Sequence, residues 1–218
     1  MKKVLLVLSL ALGLIFWNGC RDAHNVIDYA EYQDDYHSED FDSTYVLSEM
    51  GFGGKKTVFL NIHCTATKEG YNLKGDWFLD FFKNDRKWDK PGYNEIVELD
   101  GNRFIAVPYD LDGYTTFDEL SYGVKGYNSI SINIAYVGGV DKNLKPKDTR
   151  TKAQIRAIDQ IVKEVRAAMP SIAVMGHRDH KNVHKACPSF DVHKEYGDFS
   201  LLLEQTTEVD YIFKDSLK

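Results

Sequence analysis

Two histidines and a cysteine stand where they could share a metal ion. His63 follows the alternating stretch Val58-Phe59-Leu60-Asn61-Ile62, His177 follows the apolar run from Ile172 to Met175 and Gly176, and Cys187 comes ten residues later. Two imidazoles and a thiolate suit zinc, and three protein ligands leave a fourth tetrahedral position for water, the pattern of a catalytic rather than a structural ion. Such an ion lowers the pKa of its water to about 7 and polarises a carbonyl as a Lewis acid, which is the chemistry of metal-assisted hydrolysis. Spacing alone leaves the ligand set open. The chain has seven histidines, and His180, His184 and His193 crowd the same segment, with His184 competing with His177 and all three expected to face solvent. Cys64 adjoins His63, but alternation along a strand turns it to the opposite face as a small core residue.

The elements that must position these groups alternate between strand and helix. Thr57 to His63 alternates as a buried strand, and Trp77, Phe78, Phe81 and Phe82 fall on one face of a helix. Tyr93 to Leu99 and Arg103 to Val107 flank Asp100-Gly101-Asn102, a hairpin signal. Ser129 to Val137 alternates as a second buried strand that ends at Gly138-Gly139. Thr151 with Gln154 forms a capping box ahead of a helical stripe, Ile155, Ile158, Val162, Val165 and Met169, which Pro170 closes. Ile172 to Met175 is a short strand that delivers Gly176 and His177. This order predicts one α/β domain with a mixed central sheet flanked by helices. The stretch Val107 to Leu120, rich in Asp, Glu and Tyr, reads as a solvated loop, with a groove-shaping role as the alternative.

Charge divides the chain. Arg21 to Glu49 carries nine carboxylates against one base, whereas residues 50–218 hold 24 of each, so no basic excess favours a nucleic-acid partner. The acidic stretch lacks a sustained apolar period and reads as a solvated tether. Ahead of it, Lys2 and Lys3 precede an apolar run from Val4 to Trp17, too short to span a bilayer comfortably and patterned as a secretory signal peptide. Gly19-Cys20 resembles the acylated cysteine of bacterial lipoproteins, although Trp17 and Asn18 depart from the usual preceding residues. The expected plan is a signal peptide over 1–20 ending at a lipidated Cys20, an acidic tether over 21–50, a catalytic domain over 51–200 and a C-terminal extension over 201–218. That plan implies a monomer at the cell envelope, attached to the membrane through lipid, with a soluble secreted protein as the alternative. With Cys20 acylated, Cys64 and Cys187 form the only internal disulfide available.

Six ordered segments carry a further likeness: Ile62-His63-Cys64-Thr65-Ala66-Thr67, Pro91-Gly92-Tyr93-Asn94, Lys125-Gly126-Tyr127-Asn128-Ser129-Ile130, Val137-Gly138-Gly139-Val140-Asp141, Gly176-His177-Arg178-Asp179 and Lys185-Ala186-Cys187-Pro188. Together, over about residues 56 to 196, they resemble the zinc-dependent N-acetylmuramoyl-L-alanine amidases of the bacteriophage-lysozyme and peptidoglycan-recognition-protein type. The resemblance implies a peptidoglycan-recognition-protein-like fold, one Zn2+, and hydrolysis of the amide between N-acetylmuramic acid and the L-alanine of the stem peptide in peptidoglycan or muropeptides.

Carried over by position, the resemblance implies His63, His177 and Cys187 as metal ligands and Tyr93 and Lys185 as catalytic residues. A phenol beside the metal water can hold it in line, and an ammonium can stabilise the oxyanion of a tetrahedral intermediate. Asp179 and Asp191 are implied as carboxylates that orient an imidazole or the lysine. Asn94 and Tyr122 stand where phage-type members often have histidine, which bears on substrate fit. Two other functions fit the same scaffold: a peptidoglycan-binding module without catalysis, whose common mark is loss of the metal cysteine, and an inhibitor or immunity protein.

Overall fold

In the computed structural model, which describes residues 53–197, Phe59–Cys64 forms a strand whose six residues are all buried. The expected lipid site at Cys20, the acidic tether and the C-terminal extension lie outside the described residues. In chain order the strands are β1 (Lys55–Lys56), β2 (Phe59–Cys64), β3 (Thr67–Lys68), β4 (Glu95–Val97), β5 (Arg103–Ile105), β6 (Tyr114–Thr115), β7 (Ser131–Tyr136), β8 (Gly139–Val140) and β9 (Ala173–Gly176). The α-helices are α1 (Gly75–Asp80), α2 (Lys152–Ala168) and α3 (Val192–Tyr196).

A strand covered on both faces belongs inside a parallel sheet. β2 occupies that place in a five-stranded sheet ordered β5-β4-β7-β2-β9, in which β4, β7, β2 and β9 run parallel and β5 closes one edge antiparallel to β4. The fold is therefore α/β with a mixed central sheet, as the alternation of elements predicts. Two small ladders, β1 with β6 and β3 with β8, flank it.

Period-two alternation sorts β2 and β7 into two chemically distinct faces. Leu60, Ile62, Ile132, Ile134 and Tyr136 join Ile158, Ile161, Val162 and Val165 of α2 in the main core. Each such side chain, buried fully, contributes roughly 1.5–3 kcal/mol of transfer free energy. The opposite face presents Phe59, Asn61, His63 and Asn133. The Thr151 capping box forms, and Gln154 does more than cap: its Oε1 accepts from Thr151 N–H while its Nε2 donates to the carbonyls of Val97 and Val137 at 3.0 and 2.9 Å. The start of α2 is thereby fastened to the ends of β4 and β7.

The aromatic helix departs from the simple spacing. After α1 the chain widens into a π-turn over Phe81–Asp85, closed by Arg86 N–H donating to the Phe81 carbonyl at 3.0 Å. The extra residue per turn keeps Phe78, Phe81 and Phe82 buried together and brings Trp88 back against Phe82, with rings parallel and 5.5 Å apart. The stretch from Val107 to Leu120 is anchored more firmly than a solvated loop. Val107, Thr115 and Leu120 are buried, β6 pairs with β1, and Tyr109 donates to the buried Glu95 carboxylate at 2.8 Å. Its acids Asp110, Asp112 and Asp118 do face solvent.

Candidate metal centre

His63 is the fifth residue of β2, and β9 ends one residue before His177, so two adjacent parallel strands deliver both imidazoles to the same end of the sheet. Ligand crevices of open α/β sheets lie outside those carboxyl ends. The Nδ1 atoms of His63 and His177 are 3.2 Å apart, the Sγ of Cys187 is 3.8 Å from His63 Nδ1, and one donor atom from each residue falls within 4.8 Å of the others. Tetrahedral zinc with bonds of about 2.0–2.1 Å to nitrogen and 2.3 Å to sulfur holds its donors roughly 3.3–3.6 Å apart. The donor set suits that ion, and the 3.2 and 3.8 Å separations lie close to its spacing.

The local electrostatics keep both imidazoles ready to donate to an ion. Burial, reinforced by the neighbouring His177, keeps His63 far below the ordinary imidazole pKa, against an opposing hydrogen bond to the Asn133 carboxamide oxygen. Burial and the Lys185 ammonium push His177 down to about 3, so both rings are neutral at pH 7 with lone pairs to donate. Burial and the Cys64 thiol push Cys187 well above the usual thiol range. The Cys64 backbone N–H, which donates to Cys187 Sγ at 3.3 Å, and Lys185 act in the other direction and favour thiolate.

Above the trio opens a cleft. Phe78, Phe81, Phe82, Trp88 and Tyr122 form its aromatic wall, with His177 and Cys187 also lining it. Tyr93 stands between: its ring is 5.2 Å from that of His63 and its hydroxyl donates to the Cys64 carbonyl at 3.5 Å. Lys185 is half-buried and acts electrostatically on all three members of the trio. Cys64 points into the main core, as alternation predicts, with Sγ 3.9 Å from Ser189 Oγ. Both cysteines are free thiols.

The other singled-out residues make contacts of their own. Asp191 caps α3, accepting from Lys194 N–H at 2.9 Å, and Asp179 accepts from Gly176 N–H at 2.7 Å while facing Arg178. His184 and His193 are exposed, whereas His180 is buried, against expectation, with Nε2 2.7 Å from Asn61 Oδ1 and its ring against Phe59 and Tyr127. Tyr122 donates to Asp89 at 2.7 Å, and Asn94 is wholly buried beneath the site.

Sequence reasoning passed over Asn61, Ser121 and Asn133, all 0% exposed and linked by hydrogen bonds to His63. The available signal was an asparagine in each of two otherwise apolar buried strands. A buried carboxamide needs partners, and two in register pair with each other.

Residues 53–190 match the N-acetylmuramoyl-L-alanine amidase family. The endolysin of Enterobacteria phage K11 is 31% identical over 133 residues, covering 61% of this chain and 81% of its own, and that of Escherichia phage T7 is 30% identical over 140 residues, covering 63% and 84%. Among solved structures, the Ph2119 endolysin from the Thermus scotoductus MAT2119 bacteriophage shares the fold with a TM-score of 0.51 at 20% identity, over 66% of this chain and 88% of that one. With a match across most of the described residues and a shared fold, the chain belongs to the N-acetylmuramoyl-L-alanine amidase family.

Proposed function

We propose that the protein hydrolyses the amide between the lactyl group of N-acetylmuramic acid and the L-alanine of the stem peptide, using one zinc ion held by His63, His177 and Cys187. The observation that carries this reading is the convergence of those three donors at an aromatic cleft in a member of the amidase family. When bound, zinc supplies a Lewis acid for the scissile carbonyl and a water of pKa near 7. The protein's own groups do the rest. Neutral imidazoles hold the ion, the Tyr93 hydroxyl orients the attacking water, and the Lys185 ammonium stabilises the oxyanion that develops on the carbonyl. The aromatic wall gives the sugar and peptide an apolar surface and excludes water from the reacting bond.

Relatives named endolysins support peptidoglycan or muropeptides as substrate. Retention of Cys187 favours catalysis over a binding module. Digestion of purified peptidoglycan by the zinc-loaded protein tests the reading. Mass spectrometry is expected to find free stem peptides beginning with L-alanine beside glycan carrying intact muramic acid, and EDTA to abolish both. Binding without release from several peptidoglycan types would replace it with the binding-module reading.

The reading extends to location. A monomeric domain, acylated at Cys20 and held off the membrane by the acidic 21–50 segment, would work at the cell envelope. The signal-like run ending in Gly19-Cys20 supports this.

A further inference from the structure

A chain of buried hydrogen bonds links backbone groups beneath the cleft to the outer nitrogen of His63, and every proton in it is assigned by its neighbours. It begins at Asn94, a position that departs from the family pattern. The Asn94 Nδ2 lies 2.6 Å from the Glu119 carbonyl, which can only accept. Its Oδ1 lies 2.8 Å from the Asn133 backbone N–H, which can only donate. The two ends of that carboxamide are therefore fixed.

The Ser121 hydroxyl, 2.7 Å from Asn94 Oδ1, must donate to it and so spends its only proton. Ser121 Oγ is then an acceptor for the Asn133 Nδ2, 3.0 Å away. This turns Asn133 Oδ1 toward β2, where it accepts from Asn61 Nδ2 at 3.0 Å and faces His63 Nε2 at 3.2 Å. An amide oxygen can only accept, so His63 Nε2 carries the hydrogen and Nδ1 keeps its lone pair. On the far side, Asn61 Oδ1 accepts from His180 Nε2 at 2.7 Å.

Each link is held rigidly. Asn61, Asn94, Ser121 and Asn133 are 0% exposed, and Asn61 and Asn133 are register partners across β2 and β7. A Cβ on Gly123 would stand 2.2 Å from the Asn133 carboxamide, so only glycine at that position leaves room for it.

We infer that Asn133 is a positioning residue for the metal ligand His63: through Ser121 and Asn94 it imposes the Nε2–H tautomer and so aims the Nδ1 lone pair at the metal before any ion arrives. The inference rests on His63 being a ligand, as proposed above. Outer partners of this kind typically govern metal affinity by about 10–100-fold, because they set ring orientation and tautomer.

Two measurements test it on the full chain. In metal-free wild type carrying nitrogen-15-labelled histidine, two-bond couplings report the tautomer of each neutral ring, and the His63 signals are identified by their loss in His63→Gln. The Nε2–H pattern is expected, and the Nδ1–H pattern overturns the inference. Zinc affinity is then measured by competition with a chromophoric chelator. Asn133→Leu, similar in size and without an acceptor, is expected to bind about 10–100-fold more weakly, whereas Asn133→Asp, which as the neutral acid keeps an acceptor for His63 and a donor for Ser121, stays within about threefold of wild type. Equal affinity in Asn133→Leu and wild type, or equal losses in both variants, overturns it. Should a variant fail to fold, the tautomer of the wild-type chain decides. A wild type that binds no zinc yet shows Nε2–H removes the metal reading and leaves the proton order standing. Tight zinc binding with the Nδ1–H form in the metal-free state does the reverse.

Discussion

The backbone N–H of Cys64 donates to the Sγ of Cys187 across 3.3 Å, so the cysteine beside the first histidine serves the site through its main chain while its thiol turns into the core. The two cysteines therefore separate under mutation. Cys187→Ser is expected to hold less than about a tenth of an equivalent of zinc after reconstitution under reducing conditions, against about one equivalent for wild type. Cys64→Ala keeps its amide and its zinc and loses about 1 kcal/mol of stability from the small cavity. Metal analysis and denaturant unfolding of both variants check this. Zinc retained in Cys187→Ser would remove it from the ligand set.

Lys185 has no place in the ligand set, and its charge faces all three members. Losing one oxyanion donor typically costs on the order of 100- to 1000-fold in turnover. Lys185→Ala is expected to fold, bind zinc and fall in kcat by that factor. A drop confined to KM would assign the lysine to substrate binding instead.

Acid should weaken the metal-free domain through its buried histidines. His63, His177 and His180 are all depressed by burial, to about 3 for His177 and about 4 for His180, while unfolded imidazoles titrate near 6.5. Below that pH the unfolded chain binds more protons than the folded one, so the stability present above 6.5 is lost as pH falls. Each ring contributes about 1.4 kcal/mol per pH unit, or about 4 for the three. Urea unfolding in EDTA between pH 7.5 and 5 measures the slope, and a flat profile would mean that these rings are charged or exposed.

Cys20→Ala separates an anchored from a released protein. Fractionated cells are expected to hold wild type with the membranes and the variant in the soluble fraction. Equal partition of the two would leave the acylation proposal without support.

Much of this architecture was legible because it follows from strict local rules. Alternation located β2 and β7, Asp100-Gly101-Asn102 located the β4–β5 hairpin, and Thr151 with Gln154 located the start of α2. The convergence of His63, His177 and Cys187 was legible through the order of the motifs. What escaped depends on partners distant in sequence. His180 looks like a surface histidine until the fold supplies Asn61, 119 residues away, and Asn133 is only a polar residue on one face of a strand until Ser121 and Asn61 surround it. Asp191 adds a local role that the motif order does not show: it caps the nearest helix.

The sequence distances within the trio carry a consequence for assembly. His63 is separated by 114 residues from His177 and by 124 from Cys187, so the local segment that carries His177 and Cys187 cannot complete the trio without β2. A zinc finger nucleates its fold around the ion because its ligands are neighbours. Here β9 must first dock beside β2, a long-range parallel pairing of the slow kind, before a coordination site exists. An ion held by the proposed trio would then be the last component to join, and its capture would report that the sheet is complete.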